Sequence, residues 1–227
     1  MGYRPVMAIA RFQDLCIDAV DVPVIERFWS RVLGLRMTGS DDSTRLVGVR
    51  PQDTVWINRV PEPKTVKNRV HLDIFARTIA DLEGLGATEI QKFDRWTVLK
   101  DPEGGEFCAF PRDDLPDRRL KDVVVDASDP EALSTWWRGI LGGVLGGHPV
   151  HPWWWLDEIE GAPFESIDFV AVPEPKTAKN RVHWDVSAPA WRPLLDAGAT
   201  VLRAKGGDIG WHVLADPEGN EFCLFDD

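Results

Sequence analysis

The chain of 227 residues carries the same segment twice, and this repeat limits the folds that are open to it. Residues 60–73 read VPEPKTVKNRVHLD and residues 172–185 read VPEPKTAKNRVHWD, so twelve of fourteen positions are identical at a spacing of 112 residues. A second pair follows, because residues 101–110 read DPEGGEFCAF and residues 216–225 read DPEGNEFCLF. Internal repeats of this kind indicate a tandem duplication of one structural plan.

Each half also predicts the same order of secondary-structure elements. A strand near its start leads to a helix that begins at Asp21 and ends at Gly34 in the first half, with Asp129 and Gly142 in the same roles in the second. Aspartate before the first turn and glycine just past the last are typical of helix ends. About three strands follow each helix, and the repeated VHLD or VHWD segment then opens another unit of the same kind.

The chain is therefore predicted to contain four βαβββ modules and to have an α+β fold. A module this small cannot bury its own sheet, so paired modules are expected to form a curved mixed sheet around a cleft, with the helices outside. The polar segment 113–119 separates the halves, so we predict a first domain at residues 1–112, a linker at 113–119 and a second domain at 120–227, each with two modules. The cleft is the expected binding site.

Composition limits the class of partner. The formal net charge of −11 argues against nucleic acid and against an anionic membrane face, since both need a basic protein surface. No apolar run reaches the roughly 18 residues of a membrane-spanning helix, and the start of the chain lacks the apolar stretch of a signal peptide. Three cysteines without a disulfide framework favour a cytoplasmic location.

The helix openings, the NRVHLD segment and the DPEGNEFC ending resemble those of the vicinal oxygen chelate superfamily, which includes glyoxalase I, bleomycin-resistance proteins and extradiol dioxygenases. Within it, the chain is similar to the bacterial glyoxalase-like proteins common in actinobacteria. The resemblance covers essentially the whole chain in two copies. It implies paired βαβββ modules, a small-molecule substrate or ligand, and metal ligands on the strands that face the cleft.

Transferred position by position, the ligand pattern of the family gives one set of three residues in each half: Asp14, His71 and Cys108, or Asp122, His183 and Cys223. A remaining ligand position falls near Trp56 or Asp168. These sets depart from the histidines and glutamates that the family uses, although thiolate, imidazole and carboxylate together could hold zinc. The cofactor is therefore left open between none and a divalent metal. For Asp14 and Asp122, the alternative is a solvated position at the start of a strand.

A histidine alternates with an aspartate in each repeated strand, so His71 and Asp73 share one strand face, as do His183 and Asp185. Such a pair can act as an acid/base catalyst or as ligands at the cleft. It can equally be a buried, hydrogen-bonded pair that holds the sheet together. Both interpretations stay open.

Tryptophan is unusually abundant, with eleven residues against one tyrosine. Trp153, Trp154 and Trp155 are consecutive in a predicted strand, so the middle one must point away from its neighbours. We expect one face in the core and the other as an aromatic wall of the cleft, with His151 and His212 as further ligand-binding candidates. Four of the five histidines lie in the second half, which favours this half if only one is active.

Two further groups of residues each have two interpretations. Cys108 and Cys223 are either small buried residues or reactive ligands. The basic side chains of the repeated loops either grip an anion or pair with acidic neighbours. These side chains are Lys64, Lys67, Arg69, Lys176, Lys179 and Arg181.

The sequence predicts an enzyme of the lyase or isomerase kind that acts on a small organic molecule in the cleft of one or both halves. His183 with Asp185, or His71 with Asp73, would be the acid/base pair. The alternative is a metal-free protein that sequesters an aromatic or antibiotic-like ligand. A third hypothesis is a structural role, with both clefts filled by aromatic side chains. The duplication places every module of a cleft in one chain, so a monomer and a homodimer both stay open.

Overall fold

The computed structural model describes residues 8–40 and 43–226, and its elements follow the order β-α-β-β-β four times. The first module comprises β1 (Arg11–Ala19), α1 (Val22–Leu33), β2 (Arg36–Ser40), β3 (Ser43–Val47) and β4 (Thr54–Arg59). The second comprises β5 (Val70–Ala76), α2 (Ile79–Gly84), β6 (Thr88–Lys92), β7 (Thr97–Lys100) and β8 (Glu106–Pro111). The third comprises β9 (Leu120–Ala127), α3 (Pro130–Leu141), β10 (Val144–Gly147), β11 (Trp153–Asp157) and β12 (Ser166–Ala171). The fourth comprises β13 (Val182–Ala188), α4 (Arg192–Asp196), β14 (Thr200–Arg203), β15 (His212–Ala215) and β16 (Glu221–Asp226).

The two long helices begin and end where the capping residues predict. Asp21 accepts a hydrogen bond from the backbone N–H of Val24 at 3.2 Å, and Asp129 does the same for Ala132 at 3.0 Å. Gly34 follows α1 with a φ of 70°, a left-handed conformation that glycine adopts without strain. The predicted α+β fold of repeated modules is confirmed.

The strands form two eight-stranded mixed sheets, and each sheet draws one module from each half of the chain. Sheet A has the order β14-β15-β16-β13-β1-β4-β3-β2 and joins the first module to the fourth. Sheet B has the order β10-β11-β12-β9-β5-β8-β7-β6 and joins the second module to the third. The central pairs, β1 with β13 and β5 with β9, are antiparallel. The inner strands of each half are therefore hydrogen-bonded across the duplication.

Aromatic packing joins the two modules within each half. The ring of Trp29 on α1 packs edge-on against Phe107 on β8, with centroids 5.3 Å apart. In the second half Trp137 on α3 contacts Trp184 at 4.8 Å and Phe222 at 5.1 Å. Strand pairing across the halves and helix packing within them interlock the chain.

The basic side chains of the repeated loops pair with acidic neighbours, as one of the two interpretations predicts. Lys179 lies 2.5 Å from Asp18, and Lys67 pairs with the equivalent Asp126. Both contacts join one half of the chain to the other. The other four pairs are Lys64 with Glu106, Arg69 with Asp126, Lys176 with Glu221, and Arg181 with Glu103.

No helix in the described part of the chain is long and apolar enough to cross a membrane. The expected cytoplasmic location stays a prediction.

Candidate functional site

Sheet A carries a row of polar side chains that come from both halves of the chain. Asp14, Cys16 and Asp18 alternate along β1, and His183 and Asp185 alternate along the neighbouring β13. Alternate residues of a strand project to one side of the sheet, so the residues of each strand share a face. The register places Asp14 opposite Asp185 and Cys16 opposite His183, which brings both strands' groups together.

A cavity of about 720 Å³ lies over this row. All five of these residues line it, and aromatic rings from both halves form its wall: Trp56, Trp211 and Phe225. The rings of Trp211 and Phe225 lie 5.6 Å apart, and the indole N–H of Trp56 donates to Asp14 at 3.1 Å. The volume and the mixture of apolar wall and polar floor are those of a small-molecule site.

The surroundings of His183 and Asp185 move their pKa values in opposite directions. Burial lowers the pKa of His183, although the charges of Asp18 and Glu221 act against this. Burial raises the pKa of Asp185 to about 7, although it accepts hydrogen bonds from the thiols of Cys16 and Cys223. At neutral pH the imidazole is therefore uncharged and a large share of the carboxyl group is protonated.

These two residues are not a mutually satisfied structural pair. Nδ1 of His183 and Oδ1 of Asp185 are buried and have no hydrogen-bond partner among the described residues. A buried polar atom without a partner costs about 1–3 kcal/mol. Oδ1 of Asp73 in sheet B also has no partner among the described residues, so the cavity over His183 and Asp185 is what favours a functional role for the pair in sheet A.

Sheet B repeats the row with a different set of contacts. His71 Nε2 lies 3.5 Å from Asp73 Oδ1 and 3.6 Å from the sulfur of Cys108. Asp122 lies opposite Asp73 in the register of β9 and β5. The expectation of a solvated strand start is wrong for Asp122, which is 1% exposed.

A hydroxyl group links two carboxyl groups of sheet B. Ser166 Oγ lies 2.9 Å from Asp122 and 2.6 Å from Asp168. A hydroxyl has one proton to donate, so the second bond requires a protonated carboxyl. Burial, followed by the charge of Asp122, raises the pKa of Asp168 to about 7, which identifies it as the protonated partner.

The structure groups the candidate metal ligands differently from the expectation. Asp14 lies in sheet A, whereas His71 and Cys108 lie in sheet B; Asp122 lies in sheet B, whereas His183 and Cys223 lie in sheet A. Neither predicted set of three forms one site. The reason is that strands pair across the halves, which the repeat alone does not reveal.

Two clusters of possible metal donors do form, one in each sheet. Cys16, His183 and Asp185 have donor atoms within 4.8 Å of one another, and so do the three residues of the equivalent cluster in sheet B: His71, Asp73 and Cys108. The donor types are those of zinc sites.

The sulfur atoms of these clusters carry protons that a bound metal would have to displace. The thiol of Cys16 lies 3.4 Å from Asp185 Oδ2 and donates to it. Burial, together with nearby carboxylates, raises the pKa of Cys16, Cys108 and Cys223 well above that of an ordinary thiol. A metal binds thiolates, so it would have to displace these protons, and a raised thiol pKa lowers its affinity at neutral pH. Each cluster has the donor types of a metal site but holds protons that compete with an ion, and no chemical step is assigned to a metal.

The tryptophan cluster lies away from His183, on β11 of sheet B. Trp155 is opposite Asp168 and donates to Asp157 at 3.0 Å, while Trp154 packs against the core. Trp153 is opposite Val170 and is 39% exposed.

The remaining histidine candidates also lie outside the cavity of sheet A. His151 is exposed in the loop before β11, 4.7 Å from the ring of His148. His212 stacks on Trp191 at 4.4 Å, and its Nδ1 accepts from the backbone N–H of Lys205. The sequence predicted ligand binding by the tryptophan cluster, His151 and His212. In the structure, these residues do not share a site with His183.

The wall residues Trp56 and Phe225 were not predicted as ligand-binding residues. Phe225 lies two residues after Cys223 in β16, so strand alternation alone could have placed both on the same face. Trp56 could not be found this way, because it reaches the cavity through pairing of β4 with β1 beside a strand from the other half.

The model of the glyoxalase-like domain family matches residues 14–110 and 122–225, which is most of the chain in two copies. The chain belongs to the glyoxalase-like domain family. The matched segments cover all four modules except a few residues at their ends, and they include the polar rows of both sheets. A comparison with curated proteins finds no match.

Solved structures share this glyoxalase-like fold at low sequence identity. Glyoxalase I from Zea mays has a TM-score of 0.66 at 14% identity, over 96% of this chain and 92% of that one. A putative dioxygenase from Bacillus subtilis has a TM-score of 0.64 at 14% identity, over 97% and 86%. The cppA protein from Streptococcus pneumoniae has a TM-score of 0.55 at 11% identity, over 98% and 100%. Likenesses at such identities show the fold alone.

Proposed function

We propose that the protein is an enzyme of the lyase or isomerase kind, which transfers protons on a small organic molecule in the cavity of sheet A. The observation that carries the proposal is the pair His183 and Asp185 on the floor of this cavity, with pKa values moved in opposite directions. Pairs of this kind divide the roles of acid and base at neutral pH.

The roles follow from the protonation states. The neutral imidazole of His183 takes a proton from a carbon next to a carbonyl group. The protonated carboxyl of Asp185 gives a proton to the carbonyl oxygen as negative charge develops there. The product is an enol, with imidazolium and carboxylate left on the protein. If the deprotonated carbon carries a hydroxyl group, this enol is an enediol. The imidazolium then gives its proton to the former carbonyl carbon while the Asp185 carboxylate takes the proton of the other hydroxyl, which completes an isomerisation and restores both side chains.

Deuterium exchange tests this chemistry without knowledge of the natural substrate. The protein is incubated in D₂O with a panel of small ketones, keto acids and amino ketones, and proton NMR follows exchange next to the carbonyl. We expect exchange for at least one compound of the panel. His183→Ala and Asp185→Asn should each lower its rate by about 100-fold or more, the usual size of an acid/base contribution.

The duplication supplies matched controls. His71→Ala and Asp73→Asn make the same substitutions at the equivalent positions of sheet B, and they should leave the exchange rate within about twofold of the wild type. Circular dichroism checks that each variant is folded. Equal loss in both sheets, or no loss in His183→Ala, would show that the cavity of sheet A does not hold the acid/base pair.

The aromatic wall favours a second candidate, a binding protein that captures a flat ligand. Trp56, Trp211 and Phe225 present their rings to the cavity, and aromatic walls hold planar compounds by stacking. Quenching of tryptophan fluorescence by a compound that is recovered unchanged, with no exchange in D₂O, would support capture over catalysis.

A further inference from the structure

The two sheets carry matching polar rows but differ at one position, where a central strand bulges. In sheet B the pairing of β9 with β5 shifts just before Asp122, so Lys121 is the extra residue. In sheet A the pairing of β1 with β13 shifts just before Asp14, and the extra residue is Gln13. A bulge changes the direction in which the side chain of its extra residue points. Gln13 and Lys121 therefore occupy equivalent positions in the two sheets.

From this position, the ammonium group of Lys121 reaches the polar row of sheet B. Its Nζ pairs with the buried carboxylate of Asp122 and lies 5.0 Å from the ring centroid of Phe110. Burial alone would lower the pKa of Lys121, but the hydrogen bond and charge of Asp122 raise it. The lysine is therefore a built-in organic cation, held by a carboxylate and an aromatic face.

The equivalent position in sheet A, at Gln13, lies at the wall of the cavity. Gln13 and Asp14 both line it, and Phe225 occupies the place that Phe110 has in the repeated EFCLF and EFCAF segments. Asp185 also lines the cavity, is only 6% exposed, and has Oδ1 without a partner among the described residues. Sheet A thus has the carboxylate of Asp14 and the ring of a cation site, with a neutral amide where sheet B has an ammonium group.

The basic residues at the rim of the cavity are held by other groups. Lys179 lies 2.5 Å from Asp18, and Arg203 pairs with Asp208. Arg59 donates to the backbone carbonyl of Val20.

We propose that the cavity of sheet A binds a protonated primary amine carried on a flat aromatic group. The ammonium lies at the carboxylate of Asp14, beside Asp185, and the aromatic group lies against Phe225 and Trp211. This inference rests on the proposed function in one respect, because it names the ligand class of the same cavity.

Calorimetric titration with phenethylamine tests the proposal, with 2-phenylethanol and phenylacetate as matched neutral and anionic probes. We expect one phenethylamine per chain, bound at least about tenfold more tightly than either other probe, because only the amine completes the charge-assisted hydrogen bonds. Equal affinity for the amine and the alcohol, or tighter binding of phenylacetate, would overturn the proposal.

Substitution of the bulge residue Gln13 gives a sharper test. Gln13→Lys should supply an internal ammonium and abolish phenethylamine binding, whereas Gln13→Met, of similar length and neutral, should retain it. Unchanged binding in Gln13→Lys, or loss in both variants, would contradict the assigned position. If Gln13→Lys does not fold, Asp14→Asn removes the carboxylate at nearly constant volume, and unchanged binding there would overturn the proposal.

The reciprocal change makes a prediction for sheet B. Lys121→Gln removes the internal cation, so a second phenethylamine should bind and the stoichiometry should rise to two per chain. Lys121→Met, which fills the site with an apolar chain, should stay at one. A folded Lys121→Gln variant that still binds one amine per chain would contradict the equivalence of the two sites.

The outcomes separate this inference from the proposed function. Amine binding without deuterium exchange would leave the ligand class standing and remove the catalytic role. Exchange on amine-free ketones without phenethylamine binding would do the opposite.

Discussion

His71 and His183 stand at equivalent places in the repeated strand, yet their neighbours differ. His71 contacts both Asp73 and Cys108 within 3.6 Å, whereas Nδ1 of His183 has no partner among the described residues and its imidazole lines a cavity. Position 16 holds a cysteine that donates to Asp185, and the equivalent position 124 in sheet B holds a valine. Single substitutions of this kind allow one copy of a duplicated site to specialise.

The protonated thiols predict the metal content of the protein. Purified protein incubated with zinc and then desalted should hold well below one zinc per chain by elemental mass spectrometry, because thiols with raised pKa values are poor ligands. Near-stoichiometric zinc that is lost in Cys16→Ser or Cys108→Ser would contradict this. Cys223→Ser is the matched control, since Cys223 belongs to neither donor cluster.

At the scale of elements, the repeated Asp-Pro-Glu-Gly turns do more than reverse the chain. Glu218 accepts hydrogen bonds from the backbone N–H groups of Ser128 and Asp129 at 2.7 and 2.8 Å, just before α3. Glu103 does the same before α1, at Val20 and Asp21. Each carboxylate thus satisfies N–H groups at the start of a helix in another module.

Removal of one of these carboxylates should therefore destabilise the whole fold. Glu218→Ala leaves two backbone donors unpaired at the start of α3, and we expect it to lower the free energy of unfolding by about 1–2 kcal/mol. Chemical denaturation followed by tryptophan fluorescence measures the change. Glu160→Ala, an exposed residue in a loop, is the control and should change stability by less than about 0.5 kcal/mol. Equal stability of the two variants would contradict the capping role.

Local signals predicted the elements well, because helix caps and strand alternation are properties of neighbouring residues. The capping aspartates, the terminal glycines and the shared face of His183 and Asp185 all follow from spacing within one element. The residues of other strands that join this face do not follow from such spacing. Asp14 and Trp56 reach His183 through pairing between the first and fourth modules, and no feature of the repeat specifies whether modules pair within or across the halves.

At the scale of the whole molecule, each sheet needs both halves of the chain. The first module lacks its strand partner within residues 1–112, since β1 pairs with β13, and the second lacks β9. Two copies of one half could exchange modules and build both sheets, because the first and third modules are equivalent, as are the second and fourth. The cavity of sheet A is accordingly shared between the halves.

Separate expression of the halves tests this interlocking. Residues 1–112 alone should be dimeric by analytical ultracentrifugation when folded, and co-expression with residues 113–227 should yield a one-to-one complex. A stable, folded monomer of residues 1–112 would contradict the need for pairing across the halves. Whether the halves act as separate domains stays a prediction until this is measured.

The pH dependence of deuterium exchange tests the acid/base assignment most directly. If His183 is the base, exchange rises with pH until the imidazole is neutral, and its lowered pKa places this rise below about 6.5. If Asp185 is the acid, the rate falls as its carboxyl loses its proton, around pH 7. The account predicts a bell-shaped profile in the wild type and in Asp73→Asn, with the fall near pH 7 absent from the residual activity of Asp185→Asn. A flat profile, or a fall near pH 7 that persists in Asp185→Asn, would contradict the assignment of this pair in sheet A.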